Sequence, residues 1–106
     1  MALHHAEAGE RLSLQQVTSA DSKTAALVKT DKFEAAQLVV RAGTSIHRHA
    51  VEGYVILYCV EGSVILETQE DTRLATGDWI YLARGEEHGL HAIEDSSLLL
   101  TVLFDG

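Results

Sequence analysis

His47 and His49 stand two residues apart in a run of strand-forming residues, and His88 opens another such run far downstream. Residues i and i+2 of a strand point to the same face, with Cα atoms roughly 6–7 Å apart. Two imidazoles at that spacing can converge on one cation at about 2.0–2.1 Å each. His88, which follows the charged loop Arg84–Glu87, can supply a third nitrogen and leave open positions for water or substrate. The chemistry this points to is a divalent transition metal: zinc, nickel, iron or copper, since imidazole serves all four, or else manganese. The same three residues could equally line a polar cavity or a surface without holding an ion.

Other candidates have plainer readings. His91 follows His88 by three, so an extended strand turns it the other way, outward or toward a subunit contact. Tyr54, Tyr58, Trp79 and Tyr81 at strand positions read as packing. Glu86 and Glu87 read as a solvated loop rather than a gate. Cys59 is the single cysteine, so no intrachain disulfide can form, and it reads as a small buried hydrophobe. No phosphate-cradling loop or nucleophile elbow is present.

The elements that must position these residues are short strands. The pattern predicts strands at Thr24–Lys29, Phe33–Val40, Thr44–His49, Tyr54–Val60, Ser63–Thr68, Thr72–Ala75, Trp79–Leu82, His88–Ile93 and Ser97–Phe104. They recur about every ten residues, the rhythm of an all-β sandwich or barrel. Gly43, Gly62, Gly77 and Gly85 fall at the turns between them. The best helix candidate is Ser19–Leu27, with Asp21 as a cap, but it lacks a sustained apolar stripe. Residues 1–23 read as an arm, whose His4 and His5 are silent, and residues 24–106 as one barrel domain.

Tyr54–Val60 and Leu98–Phe104 carry apolar residues at both parities. A strand with one wet face alternates, so these need cover on both sides. One side faces the barrel interior; a second subunit would cover the other, which predicts a homodimer.

The chain has 106 residues, enough for one domain with a modest core. Sixteen acidic residues against eight basic ones give a formal charge of −8. That excludes a nucleic acid or an anionic membrane as the expected partner, since both repel such a chain. No apolar run has the length of a signal peptide or a membrane span. With one cysteine, the expected compartment is reducing, the cytoplasm.

Two segments resemble a known family. Gly43-Thr-Ser-Ile-His47-Arg-His49, followed by Tyr54 through Gly62, is similar to the first cupin motif. Gly77-Asp-Trp-Ile-Tyr-Leu-Ala83-Arg-Gly85-Glu-Glu-His88 is similar to the second, with Ala83 where the family has proline. The resemblance spans residues 33–104. It implies a double-stranded β-helix, or jelly roll, around a cavity that Val55, Leu57 and Cys59 face. It also implies that His47, His49 and His88 match three of the family's four metal ligands. The fourth, a glutamate, falls at Gly53, Tyr54 or Val55, none of which can serve. Glu52 is adjacent, and only a loop or bulge would let it reach in.

Two functions follow from the resemblance. One is a metal-dependent oxygenase or isomerase acting on a small molecule. The other is a metal-free module that binds a small ligand without turnover.

Overall fold

The structure is a computed structural model that describes residues 5–14 and 24–104. Nine strands form: β1 (Ala25–Lys29), β2 (Phe33–Val40), β3 (Ser45–His49), β4 (Tyr54–Glu61), β5 (Ser63–Glu67), β6 (Thr72–Ala75), β7 (Trp79–Leu82), β8 (His88–Ala92) and β9 (Ser96–Leu103). No helix occurs among the described residues, and so none that is long and apolar enough to cross a membrane. The helix candidate Ser19–Leu27 falls mostly outside the described residues. Its last part, Ala25 to Leu27, lies in β1, where pairing with β2 overrides local preference.

The strands make two antiparallel sheets, one ordered β1-β2-β9-β4-β7 and the other β3-β8-β5-β6. Consecutive strands β2 and β3, and β4 and β5, lie in different sheets. This is the jelly-roll arrangement, and it encloses a core between the sheets. Val55, Leu57 and Cys59 of β4 face that core at 3% exposure or less, as their shared parity requires. Val64 and Leu66 of β5, Leu90 and Ala92 of β8, and Leu98 and Val102 of β9 meet them there. Each fully buried aliphatic side chain contributes about 1.5–3 kcal/mol.

The turn from β4 into β5 depends on Gly62. Its φ is +105°, and a Cβ there would run into Ser96 and lie 2.6 Å from the Asp95 carbonyl. Ser96 Oγ in turn accepts from the Ser63 N–H at 3.0 Å, which locks β5 to β9 across the two sheets. A second polar lock joins Gln37 Nε2 of β2 to Ser97 Oγ at 2.7 Å.

The other face of the larger sheet has a different character. Register sets four rows across it, the last of which carries the charged Glu61: Phe33, Leu103 and Tyr54; Ala35, Thr101, Ile56 and Tyr81; Gln37, Leu99, Tyr58 and Trp79; and Val39, Ser97 and Glu61. The other three rows hold no charged residue. Trp79 and Tyr81 are each 58% exposed.

Candidate functional site

Between the sheets lies a cavity of about 190 Å³. Its aliphatic wall is Leu38, Ile46, Leu57, Leu66, Leu90 and Leu100; the rest of the lining is Gly89, His49 and His88. Leu66 is fully buried and His88 is buried too, whereas His49 is exposed, so the His49 imidazole sits toward the open end.

The two histidines come from neighbouring strands, β3 at the edge of the smaller sheet and β8 beside it. His49 of β3 is the ladder partner of His88 of β8. Their ring centroids are 4.6 Å apart and the planes are tilted by 52°. Each ring is held through Nδ1: His49 donates to the His47 carbonyl at 2.9 Å, and His88 to the Glu86 carbonyl at 3.1 Å. A carbonyl only accepts, so the neutral rings carry their proton on Nδ1 and the lone pair on Nε2. Glu86 also secures the preceding loop, its carboxylate accepting from the Ala83 N–H at 3.1 Å.

His47 is not part of this wall. The β3–β8 register runs Ser45 to His91 and Ile46 to Leu90, then shifts before His49 to His88. Two residues, His47 and Arg48, therefore stand against Gly89 alone, which is a β-bulge. The bulge breaks the alternation on which a shared face for His47 and His49 depends. His47 is exposed, and its contribution to the pair is its backbone carbonyl. Gly89 makes the bulge possible: a Cβ there would meet Arg48 Cγ and Ile46 O at 3.1 Å and Glu67 Oε1 at 3.0 Å. A glycine inside a strand is a signal for such a bulge, and Gly89 directly after His88 was that signal in the sequence.

The remaining candidates lie elsewhere. Glu52 is exposed in the bend before β4 and does not line the cavity. His91 faces away from it, its Nδ1 2.7 Å from Ser45 Oγ. Cys59 is wholly buried, and burial pushes its thiol up from the ordinary value, with the Asp78 carboxylate adding to the effect and a backbone hydrogen bond from Glu61 opposing it.

Does this donor set fit a divalent metal? Two Nε2 atoms are offered and no carboxylate lines the cavity. Among the described residues no group of three His, Cys, Asp or Glu side chains is placed to hold an ion. An open zinc site takes three protein ligands. As arranged, the pair falls one donor short and does not fit a resident metal.

Comparison with known proteins supports the fold independently. The family model described as "Cupin domain" matches residues 36–104. A conserved protein of unknown function from Streptococcus pyogenes, SPY1581, superposes with a TM-score of 0.80 at 23% identity, covering 100% of this chain and 99% of that one. KdgF from Halomonas sp. gives a TM-score of 0.72 at 23% identity, covering 90% of each chain. The polyketide cyclase RemF from Streptomyces resistomycificus gives 0.68 at 22% identity, covering 77% of this chain and 64% of that one. At these identities the likeness is one of fold. No curated protein matches the sequence.

Proposed function

This chain belongs to the cupin domain family, and from that premise we propose that it binds a small, largely apolar molecule bearing one weakly acidic hydroxyl. The observation that carries this reading is an aliphatic cavity of about 190 Å³ whose polar side chains are His49 and His88. An apolar cavity of about 150 Å³ accepts benzene, so this one suits one ring with a substituent. The neutral Nε2 atoms accept a hydrogen bond, which selects a phenol, an enol or a protonated acid as the head group. No nucleophile or carboxylate lines the cavity beside the pair, so the reading is binding rather than turnover. Residues 24–106 act in it as one barrel and residues 1–23 as an arm. The same reading keeps the cytoplasm as its compartment, on the free Cys59. It keeps a second copy of the chain as protein partner, because β4 and β9 carry apolar residues on both faces.

Phenol, with benzene for comparison, is the probe. Calorimetry on chelator-treated protein is expected to show phenol binding more tightly than benzene. Removing whichever of the His49 and His88 rings accepts the single phenol O–H should weaken phenol by about fivefold, one net hydrogen bond, while His47→Ala leaves it unchanged. Donation through Nδ1 is also how metal-ligating histidines are held. Elemental analysis of untreated protein therefore decides the rival: a stoichiometric metal lost in both His49→Ala and His88→Ala would overturn the metal-free reading.

A further inference from the structure

We propose that Ser45 is a nucleophile activated by His91, forming a site on the outward face of the smaller sheet that takes the acyl group of an uncharged, activated ester. Ser45 Oγ lies 2.7 Å from His91 Nδ1. The two residues are cross-strand partners on β3 and β8. They alternate with Ile46 and Leu90, which line the cavity, so the pair faces the opposite way. Ser45 is exposed and His91 is half-buried.

Local backbone geometry makes this contact. The Ala92 N–H donates to the Thr44 carbonyl at 3.0 Å, so the ladder bonds flank Ser45 and His91 rather than join them. In such a non-hydrogen-bonded pair the Cα atoms approach to about 4.5 Å and the side chains meet. The backbone N–H and C=O of Ser45 then point away from β8. β3 is the end strand of the smaller sheet, so the Ser45 N–H is directed off the sheet edge. The partner of Nδ1 also differs from those of the cavity rings. His49 and His88 face carbonyls, which only accept, so their Nδ1 must donate. His91 faces a hydroxyl, which can donate. With its own proton on Nε2, His91 accepts the Ser45 O–H.

These parts support acyl transfer. As Ser45 Oγ attacks the ester carbonyl carbon, its proton passes to His91 Nδ1. A new C–O bond forms on Ser45, the bond to the leaving oxygen breaks, and the leaving group departs with the electron pair. The imidazolium then gives the proton to that leaving group or to water. The Ser45 N–H is the donor for the oxygen of the tetrahedral intermediate. An exposed site of this kind suits an ester with a good leaving group rather than an amide. The formal charge of −8 repels anionic acyl donors, which favours an uncharged one.

Acetylation by p-nitrophenyl acetate tests this. Mass spectrometry of the digested protein reads the label at Ser45 and at Ser13, an exposed serine of the arm. Ser45 should react about 100-fold faster than Ser13, the low end of what a positioned base contributes. Concentrated urea should bring the two rates together, since the strand pairing that holds His91 is lost. His91→Gln keeps a hydrogen-bonding side chain but cannot take up the proton. Where circular dichroism shows it folded, it should lower the Ser45 rate to that of Ser13. Equal rates at the two serines in the folded wild type overturn the proposal without any variant. A folded His91→Gln that keeps the fast rate overturns the role of His91 as base. Acetyl captured first on His91 and then passed to Ser45 makes the imidazole the nucleophile and overturns the assignment too. None of these outcomes touches the phenol measurement, since the cavity lies on the inner face of β3 and β8.

Discussion

Ile46 and His49 are three residues apart on β3, yet both side chains line the same cavity. Strict alternation forbids that, because positions of opposite parity face opposite ways. The extra residue of the bulge at His47 and Arg48 restores the inward direction at His49 and sets it against His88. The site is thus a product of a local irregularity, and the irregularity depends on the missing side chain of Gly89.

Gly89→Ala should therefore damage both fold and site. The added methyl is crowded by Ile46 O and Arg48 Cγ at 3.1 Å. Arg48 is tied down by its guanidinium bond to the Thr68 carbonyl at 3.0 Å, which limits its retreat. Overpacking of this kind costs about 1–3 kcal/mol. Urea unfolding should show that loss, and phenol affinity should fall because His49 is re-aimed. Unaltered stability together with unaltered affinity would mean that the bulge does not depend on this glycine.

Leu66→Ala probes the closed end of the cavity. Leu66 is fully buried and lines it. The truncation should cost about 2–5 kcal/mol in unfolding free energy. It should also enlarge the space, so that a phenol with a bulkier substituent gains affinity relative to phenol. If the larger probe gains nothing, the cavity is not where these molecules bind.

Cys59 makes stability depend on pH in the alkaline range. Burial raises its folded pKa above the ordinary thiol value of 9.0. The unfolded state therefore releases the thiol proton first. The contribution is fully present below about pH 9.0 and is lost as pH rises from there through the folded value. Stability curves of wild type and Cys59→Ala should diverge in slope above that pH, the wild type falling more steeply. Parallel curves would show that the thiol titrates alike in both states.

Much of the architecture was legible in the residues. Nine strands were readable from short apolar runs punctuated by turns, and their observed ends lie within one residue of the expected ones, the scale on which strand boundaries fray. Gly43, Gly62, Gly77 and Gly85 have the positive φ that their turn positions called for. That Val55, Leu57 and Cys59 share one face was likewise readable, because β4 is regular until Cys59 and a regular strand has period two, while the family resemblance implied that this face is the inward one. That His49 and His88 face the cavity was implied by the family resemblance, though not by regular alternation, which the bulge before His49 breaks.

The sequence by itself determined the strand content, which follows from local pattern, and implied the jelly roll through its two family motifs. Only the tertiary structure decided that the histidine group is a pair, with His47 lending a carbonyl instead of a ring, and that the tyrosines and Trp79 align into uncharged rows. Both depend on cross-strand register. A bulge shifts register by a single residue and so reverses the direction of every side chain beyond it, a difference that no spacing between histidines along the chain can express.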